Sequence, residues 1–334
     1  MTTSRAFRFA DDLGPKAVLH VYEPKVGLWG IVVVDNVACG PAIGGCRMAP
    51  DVSLPECFRL ARAMTFKNAS AGLPHGGAKS VIVADPMMPI EQKEQVIRAY
   101  ARAIKPLTDY IPGPDMGTNE TAMAWIKNEG GQCAGLPASV GGIPLDKIGA
   151  TAYGVVASAD IARGEVDLEL DGARVAMQGF GAVGKHAARF FAERGSILVA
   201  AADISGMVHD ANGLDVNELV AHVDAGGLMQ DFEGGEHDDR DAIVAVDCDI
   251  LVPAARPDVI RADNQETVKA KLIVPGANNG VTDEAEALLH KRAELSIPDY
   301  IDNAGGEISA AVEYGGGTEG QVFGINDQKE RGNT

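Results

Sequence analysis

The stretch ARVAMQGFGAVGKHAARFFAERGSILVAAADISG, residues 173–206, constrains the fold of this chain more than any other. It sets Gly179-x-Gly181-x-x-Gly184 between an apolar strand and a helix with an apolar face. The three glycines meet three steric demands, which are a tight turn, close backbone approach to a pyrophosphate, and close packing of helix on strand. The helix N-terminus then turns free N–H groups and a partial positive charge toward phosphate. The next strand ends at Asp203, nineteen residues past Gly184, where a carboxylate can bond both hydroxyls of a ribose. These residues predict a Rossmann-type dinucleotide site, with Phe180, Ala182, Val183 and Ile204 as further contacts of the same stretch. An acid at 203 repels a 2′-phosphate and no arginine follows it closely, so NAD is favoured over NADP. A tight turn without a ligand, with Asp203 capping a loop, is the plainer alternative.

Around this segment the grammar is that of a parallel sheet wound with helices. Strands are expected over 173–178, 197–202, 249–252 and 271–274, and helices over 181–194, 214–223 and 282–290. The N-terminal half mixes its elements without strict alternation. Residues 16–22 and 28–35 read as a hairpin around Pro24 and Gly27, and 54–68 as a helix with Leu54, Phe58, Ala61 and Met64 on one face. Further helices are expected over 90–104, behind Pro89, and over 120–128. GLPASVGGIPLDKIG, 135–149, reads as a hinge. At 334 residues the chain is too long for one ordinary core. The expectation is an α/β protein of two domains. Residues 1–145 form a substrate domain with a mixed sheet, onto which 306–334 pack back, and 146–305 form the Rossmann NAD domain. After Gly315-Gly316-Gly317 the tail is polar and weakly periodic.

A formal charge of −18 argues against nucleic acid or anionic membrane as partners. No run of eighteen apolar residues occurs, and the N-terminus lacks the apolar core of a signal peptide, so the chain reads as cytoplasmic. Five scattered cysteines without a Cys-x-x-Cys pair read as free thiols in a reducing compartment. The seven histidines show no short ligand spacing, and no metal site is expected.

MTFKNASAGLPHGGAKSVIVADP, residues 64–86, places Lys67 and Lys79 twelve residues apart in a small, apolar, Gly-rich setting. Lys79 follows what reads as a Gly-Gly turn and precedes Ser80–Ala84, an apolar run that reads as a buried strand. If Lys67 ends a helix and Lys79 begins the strand, both amines converge on one crevice. One then holds a carboxylate as a point charge. The other, desolvated beside a like charge, has its pKa lowered and serves as a base. Asp115, in IPGPDMGTNETAMAWI, stands in a turn-rich loop before a helix, where a carboxylate can exchange protons with a substrate. The plainer alternatives are a lysine complementing a helix dipole and an aspartate capping a helix.

The motifs MTFKNASAGLPHGGAKSVIVADP, GPDMGT, GATAYGV, GFGAVG, GANNG and IDNAGG follow one another in an order that resembles the glutamate/leucine/phenylalanine/valine dehydrogenase family over about residues 30–314. The resemblance implies a substrate domain, an NAD domain, a cleft between them, and reversible oxidative deamination of an L-amino acid to a 2-oxo acid and ammonia. It assigns the substrate carboxylate to Lys67, activation of the attacking water to Lys79, and proton movement at the amino group to Asp115. Thr151 contacts the nicotinamide amide, Ala254 belongs to the cofactor site, and Asn278 serves both cofactor and substrate. Ile43, Gly44, Met64, Glu307 and Ala310 fall to the substrate. A homo-oligomer is the family expectation.

Two departures bear on the substrate. Glutamate-specific members carry a lysine where GPAIGGCRM has Ile43, and without that cation a buried γ-carboxylate stays unpaired. Glutamate is therefore disfavoured, and the segment reads closer to the leucine and phenylalanine branch. In NAGGEISAAVEY, Glu307 replaces an aliphatic residue of the apolar-substrate branch, one turn before Ala310. Either Glu307 faces the pocket and suits a polar or cationic side chain, or it serves the N-terminal turn of its helix. Arg256-Pro257 and Pro275 also depart from the family pattern, and Asn333-Thr334 fall about where the family's C-terminal helices would be building up. Two rivals stand beside this reading. One is a catalytically silent NAD-binding regulatory module. The other is a 2-hydroxy-acid dehydrogenase, for which His75 is the candidate base.

Overall fold

The computed structural model describes residues 7–332, which divide into two compact units. The first comprises residues 7–145 together with Glu307–Val322. Its sheet holds β1 (Ala17–Glu23), β2 (Leu28–Asn36), β3 (Ala42–Ala49), β4 (Gly76–Val83) and β5 (Tyr110–Pro114), in the order β1-β2-β4-β3-β5. β1 and β2 form the expected hairpin, with Ala17 opposite Val34 and Glu23 opposite Leu28. β2 runs antiparallel to β4, while β3 runs parallel to both β4 and β5, so the sheet is mixed. Helices α1 (Leu54–Ser70), α2 (Ile90–Ile104) and α3 (Glu120–Asn128) accompany it. α1 begins where the Ser53 side chain accepts the Glu56 N–H and Pro55 occupies the first turn, a position that asks nothing of a missing N–H. Val32, Val34, Ile82, Ile97, Tyr100, Met123 and Ile126 belong to the core of this unit.

The Gly-Gly pair ahead of Lys79 is not a turn. Gly76 and Gly77 open β4 itself. A Cβ on Gly76 would stand 1.8 Å from the Asn36 carbonyl oxygen, and one on Gly77 would stand 2.0 Å from the Thr65 nitrogen of α1. The absence of side chains lets a neighbouring strand and a helix lie directly against β4. Strands β3 and β5 were not expected from the sequence. β3 carries Gly44 and Gly45, which weaken a strand unless another backbone approaches closely.

Through the short α4 (Leu145–Ile148) the chain enters the second unit, residues 146–306 and 323–332. Here α5 (Ala150–Ala162) precedes β6 (Arg174–Gln178), α6 (Ala182–Ala192), β7 (Ile197–Ala202), β8 (Met207–His209), α7 (Val216–Asp224) and β9 (Glu236–Asp238). β10 (Ile250–Pro253), β11 (Leu272–Ile273), α8 (Asp283–Lys291), β12 (Leu295–Ser296) and α9 (Asp299–Asp302) follow. The sheet order is β12-β11-β10-β6-β7-β8-β9. It is parallel from β12 to β7, and the antiparallel extension through β8 and β9 is an addition to the expected pattern. β6 lies between β7, the next strand in the chain, and β10, so strand order reverses at its carboxyl end. That is the point at which open α/β sheets take their ligands.

The last two helices are α10 (Gly305–Tyr314) and α11 (Glu319–Gly332). The tail expected to return whole to the first unit divides instead: Glu307–Val322 join the first unit, and the chain from Phe323 clusters with the second. The Phe323 ring explains the division, lying 4.8 Å from Tyr153 and 6.0 Å from Phe190. Residues 1–6 and 333–334, on which the signal-peptide expectation and the chain's end fall, lie outside the described residues. Among the described residues no helix is long and apolar enough to cross a membrane, and no group of three His, Cys, Asp or Glu is placed to hold a metal ion. The five cysteines are free, and all but Cys39 are buried.

Candidate active site

In the first unit, β3, β4 and the loop after β5 bring three charged groups together. Lys79 on β4 is 4% exposed, and its Nζ pairs with Oδ2 of Asp115. Arg47 on β3 donates from Nε to Oδ1 of Asp115 at 2.9 Å and from a terminal nitrogen to Glu56 at 2.8 Å. The loop is held locally as well. Thr118 Oγ1 donates to the Cys46 carbonyl at 2.8 Å and accepts the Asp115 N–H at 3.0 Å. A Cβ on Gly45 would stand 2.6 Å from Asp115 Oδ2, so this glycine makes room for the carboxylate. Burial opposes the charge on Asp115, but the Lys79 and Arg47 cations outweigh it and bring the carboxyl down to about 2.

The structure adds to the expectation for Lys79 an ion-pair partner, the Asp115 carboxylate. Arg47 was not singled out from the sequence. Its signal was its place in GPAIGGCRM, on the strand that passes Asp115.

Lys67 stands in the last turn of α1, also 4% exposed, with its Nζ 3.7 Å from Oε1 of Glu307 in the first turn of α10. Ile43 and Ala310 meet in one apolar cluster with Ile111 and Ala134. Met64 is buried on the same helix as Lys67. Gly44 serves the packing of the sheet, because its Cβ would stand 1.6 Å from the Ala78 carbonyl oxygen. α10 is pinned by Glu313, whose carboxylate accepts the Leu136 N–H at 3.1 Å and the Ile143 N–H at 2.8 Å. His75 is taken up by packing: its Nδ1 lies 3.0 Å from the Pro41 carbonyl and its ring meets Tyr314 edge-on.

In the second unit the three glycines of the cradle stand in three different surroundings. Gly179 has φ +98°, and a Cβ there would stand 2.5 Å from that of Ala255. A Cβ on Gly184 would stand 1.9 Å from the Gly179 carbonyl, which brings α6 hard against the end of β6. Gly181 alone opens on free space, with nothing within 4 Å of its Cβ position. It is the N-cap of α6 and makes no side-chain cap bond, which suits a pyrophosphate. Phe180 turns its ring into the core, while Ala182 is exposed and Val183 half-buried.

Asp203 follows β7. It accepts bonds from the Ser205 N–H and hydroxyl on one oxygen and from the Met229 N–H, at 3.0 Å, on the other. Burial works against its charge, and these donors hold its carboxyl below the usual range. The carboxylate thus ties a loop, as the plainer alternative had it, and remains an anion at the strand end. Ile204 beside it is 82% exposed. Ala254 donates its N–H to the Gln178 carbonyl at 2.7 Å, Thr151 stands in the first turn of α5, and Asn278 accepts from Asn303 at 3.2 Å. The residues present fit a dinucleotide.

Two family models match the sequence. The Glu/Leu/Phe/Val dehydrogenase dimerisation domain matches over residues 15–131, and Glutamate/Leucine/Phenylalanine/Valine dehydrogenase over residues 141–329. The NADP-specific glutamate dehydrogenase of Saccharolobus shibatae is 35% identical over 308 residues, which cover 88% of this chain and 73% of that protein. Among solved structures, the hetero-hexameric glutamate dehydrogenase from Thermus thermophilus in its leucine-bound form is similar, with TM-score 0.85, 29% identity, and coverage of 96% of this chain and 82% of that one. L-tryptophan dehydrogenase from Nostoc punctiforme is similar with TM-score 0.71 and 26% identity, covering 96% of this chain and 88% of that one. Relatives named for glutamate thus stand among the similar ones, and the expected proximity to the leucine and phenylalanine branch is not supported.

Proposed function

Because this chain belongs to the glutamate/leucine/phenylalanine/valine dehydrogenase family, we propose that it catalyses the reversible, NAD-dependent oxidative deamination of an L-amino acid other than glutamate. The overall change consumes one water and releases a 2-oxo acid, ammonia, a proton and the reduced cofactor. A bound nicotinamide dinucleotide supplies the acceptor for the hydride leaving Cα. The chain's own groups do the rest. Lys67 holds the α-carboxylate as a point charge. Asp115 takes a proton from the substrate amino group and returns it to the departing ammonia, and Lys79 handles the proton of the water that attacks the substrate imine. In the second unit, Gly181 and the first turn of α6 receive the pyrophosphate, and Thr151 and Asn278 serve the nicotinamide end.

The observation that carries this reading is the pairing of buried Lys79 with half-buried Asp115, braced by Arg47. Burying such ions costs several kcal/mol each unless they are well paired. Moving a proton within a substrate site gives that arrangement a use. For NAD the support is the Asp203 carboxylate, which opposes a 2′-phosphate. The NADP-specific relative makes the ratio of turnover with NAD and NADP a direct test.

Exclusion of glutamate rests on Ile43, which sits in an apolar cluster with Ala310 where the resemblance gives glutamate-specific members a cation. Steady-state turnover of an L-amino-acid panel tests this part of the reading. Glutamate should be a poor substrate and Ile43→Lys should improve it, whereas robust turnover of glutamate alone overturns the Ile43 argument. A second copy of this chain is the expected partner, in keeping with the dimerisation-domain match, and the cytoplasm the expected compartment.

A further inference from the structure

The Lys67–Glu307 pair is not accounted for by the deamination reading. Lys67 is the cation assigned to the substrate carboxylate, and a carboxylate of the protein already stands 3.7 Å from its Nζ. Each of the three cations already meets a carboxylate: Lys67 meets Glu307, Lys79 meets Asp115, and Arg47 meets Asp115 and Glu56. A substrate that adds only an α-carboxylate at Lys67 therefore brings an anion next to Glu307 without bringing Glu307 a partner. Like charges so placed repel strongly where water is scarce. The conflict is removed when the substrate carries a second cation that reaches Glu307.

The residues beside Glu307 suit the stem of such a side chain. Glu307 lies one turn before Ala310 on α10, and Ala310 packs with Ile43, Ile111 and Ala134. Methylenes can lie along this apolar cluster while a terminal charge stays at the partly exposed Glu307 carboxylate, the usual disposition of a long basic side chain. α10 is held in place by the two N–H groups that bond Glu313, so the carboxylate is presented on a fixed element.

We propose that Glu307 is a specificity-determining residue that selects L-amino acids with a cationic side chain, dibasic acids such as lysine and ornithine, by pairing with the side-chain cation while Lys67 takes the α-carboxylate. The inference rests on the deamination reading. It is tested by ranking kcat/KM of the full-length protein with NAD for L-lysine, L-ornithine, L-norleucine, L-leucine and L-glutamate.

The dibasic acids should exceed norleucine, which matches lysine without its ammonium, by about 100-fold. Glu307→Gln should shrink that ratio below about tenfold, chiefly through KM of the dibasic acid. Glu307→Asp, which keeps the charge, should restore part of the ratio. A wild-type ranking led by norleucine, leucine or glutamate overturns the inference and leaves deamination standing. So does an unchanged ratio in a folded Glu307→Gln protein. Absence of turnover with every amino acid, with dinucleotide still bound, overturns the deamination reading and this inference with it. The wild-type ranking needs no variant, so a misfolded substitution does not shield the proposal.

Discussion

Arg47 and Asp115 meet Nε to Oδ1 at 2.9 Å, on the carboxylate oxygen that Lys79 leaves free. The two cations thus take separate oxygens of one half-buried carboxylate, and the carboxylate has little freedom to rotate. Arg47 is a positioning residue in this arrangement. Arg47→Leu should lower unfolding stability by about 2 kcal/mol, the usual loss for a hydrogen bond to a charged group. It should also move the acid limb of the kcat/KM profile to higher pH, because Asp115 loses one of the charges that favour its ionised form. Urea denaturation and the pH profile check the two effects. A purely structural arginine would change the first and not the second.

The same carboxylate makes stability depend on acid. Its folded-state value of about 2 lies below the ordinary value of about 3.9 for an unfolded chain. The sign follows from a depressed folded value: the stabilisation is fully present above pH about 4 and is lost as pH falls from about 4 toward 2. A difference of roughly two pH units corresponds to about 2.7 kcal/mol. Unfolding free energies measured down this range should fall less steeply for Asp115→Asn than for the wild type.

Gly181 separates cofactor binding from folding. Nothing lies within 4 Å of its Cβ position and its backbone is extended, so Gly181→Val should fold with a Tm close to wild type. The new side chain occupies the space offered to the pyrophosphate, and the Kd for NAD should rise by about 100-fold, or about 2.7 kcal/mol. Gly184→Ala should do the opposite kind of damage, destabilising the unit itself, because its Cβ meets the Gly179 carbonyl. Differential scanning calorimetry and dinucleotide titration distinguish the two.

Glu313 fastens α10. Glu313→Ala leaves the Leu136 and Ile143 N–H groups without their acceptor and should cost about 2 kcal/mol. Faster amide hydrogen exchange at these two positions, together with a raised KM for the amino acid, is the expected signature.

Legibility in the sequence followed the range of the forces involved. The cradle was readable because its constraints are local: Gly179, Gly181 and Gly184 answer to a turn, a free approach and a close crossing within six residues. α1, α2, the hairpin and the parallel strands β6, β7 and β10 followed from periodicity, apolar runs and the breakers Pro24, Gly27 and Pro89. β3 was not readable, since Gly44 and Gly45 are poor strand formers whose place is set by the Ala78 carbonyl and the Asp115 side chain. For the same reason Gly76 and Gly77 passed for a turn. Arg47 looked like any surface cation until the sheet brought it to a carboxylate 68 residues away. Lys67 and Lys79 stood out because ammonium groups are seldom placed in small apolar surroundings, but the identity of their partners, Glu307 and Asp115, belongs to tertiary structure.

The central claim is that Lys79 and Asp115 handle the protons of an amino-acid deamination. Absorbance at 340 nm, followed with NAD and a mixture of L-amino acids for the wild type and for Lys79→Ala, tests it most directly. A steady rise is expected for the wild type and a loss of about 1,000-fold or more for the variant, with the variant still binding NAD. A wild type that binds NAD without any rise, or a variant that turns over as fast as the wild type, would contradict it.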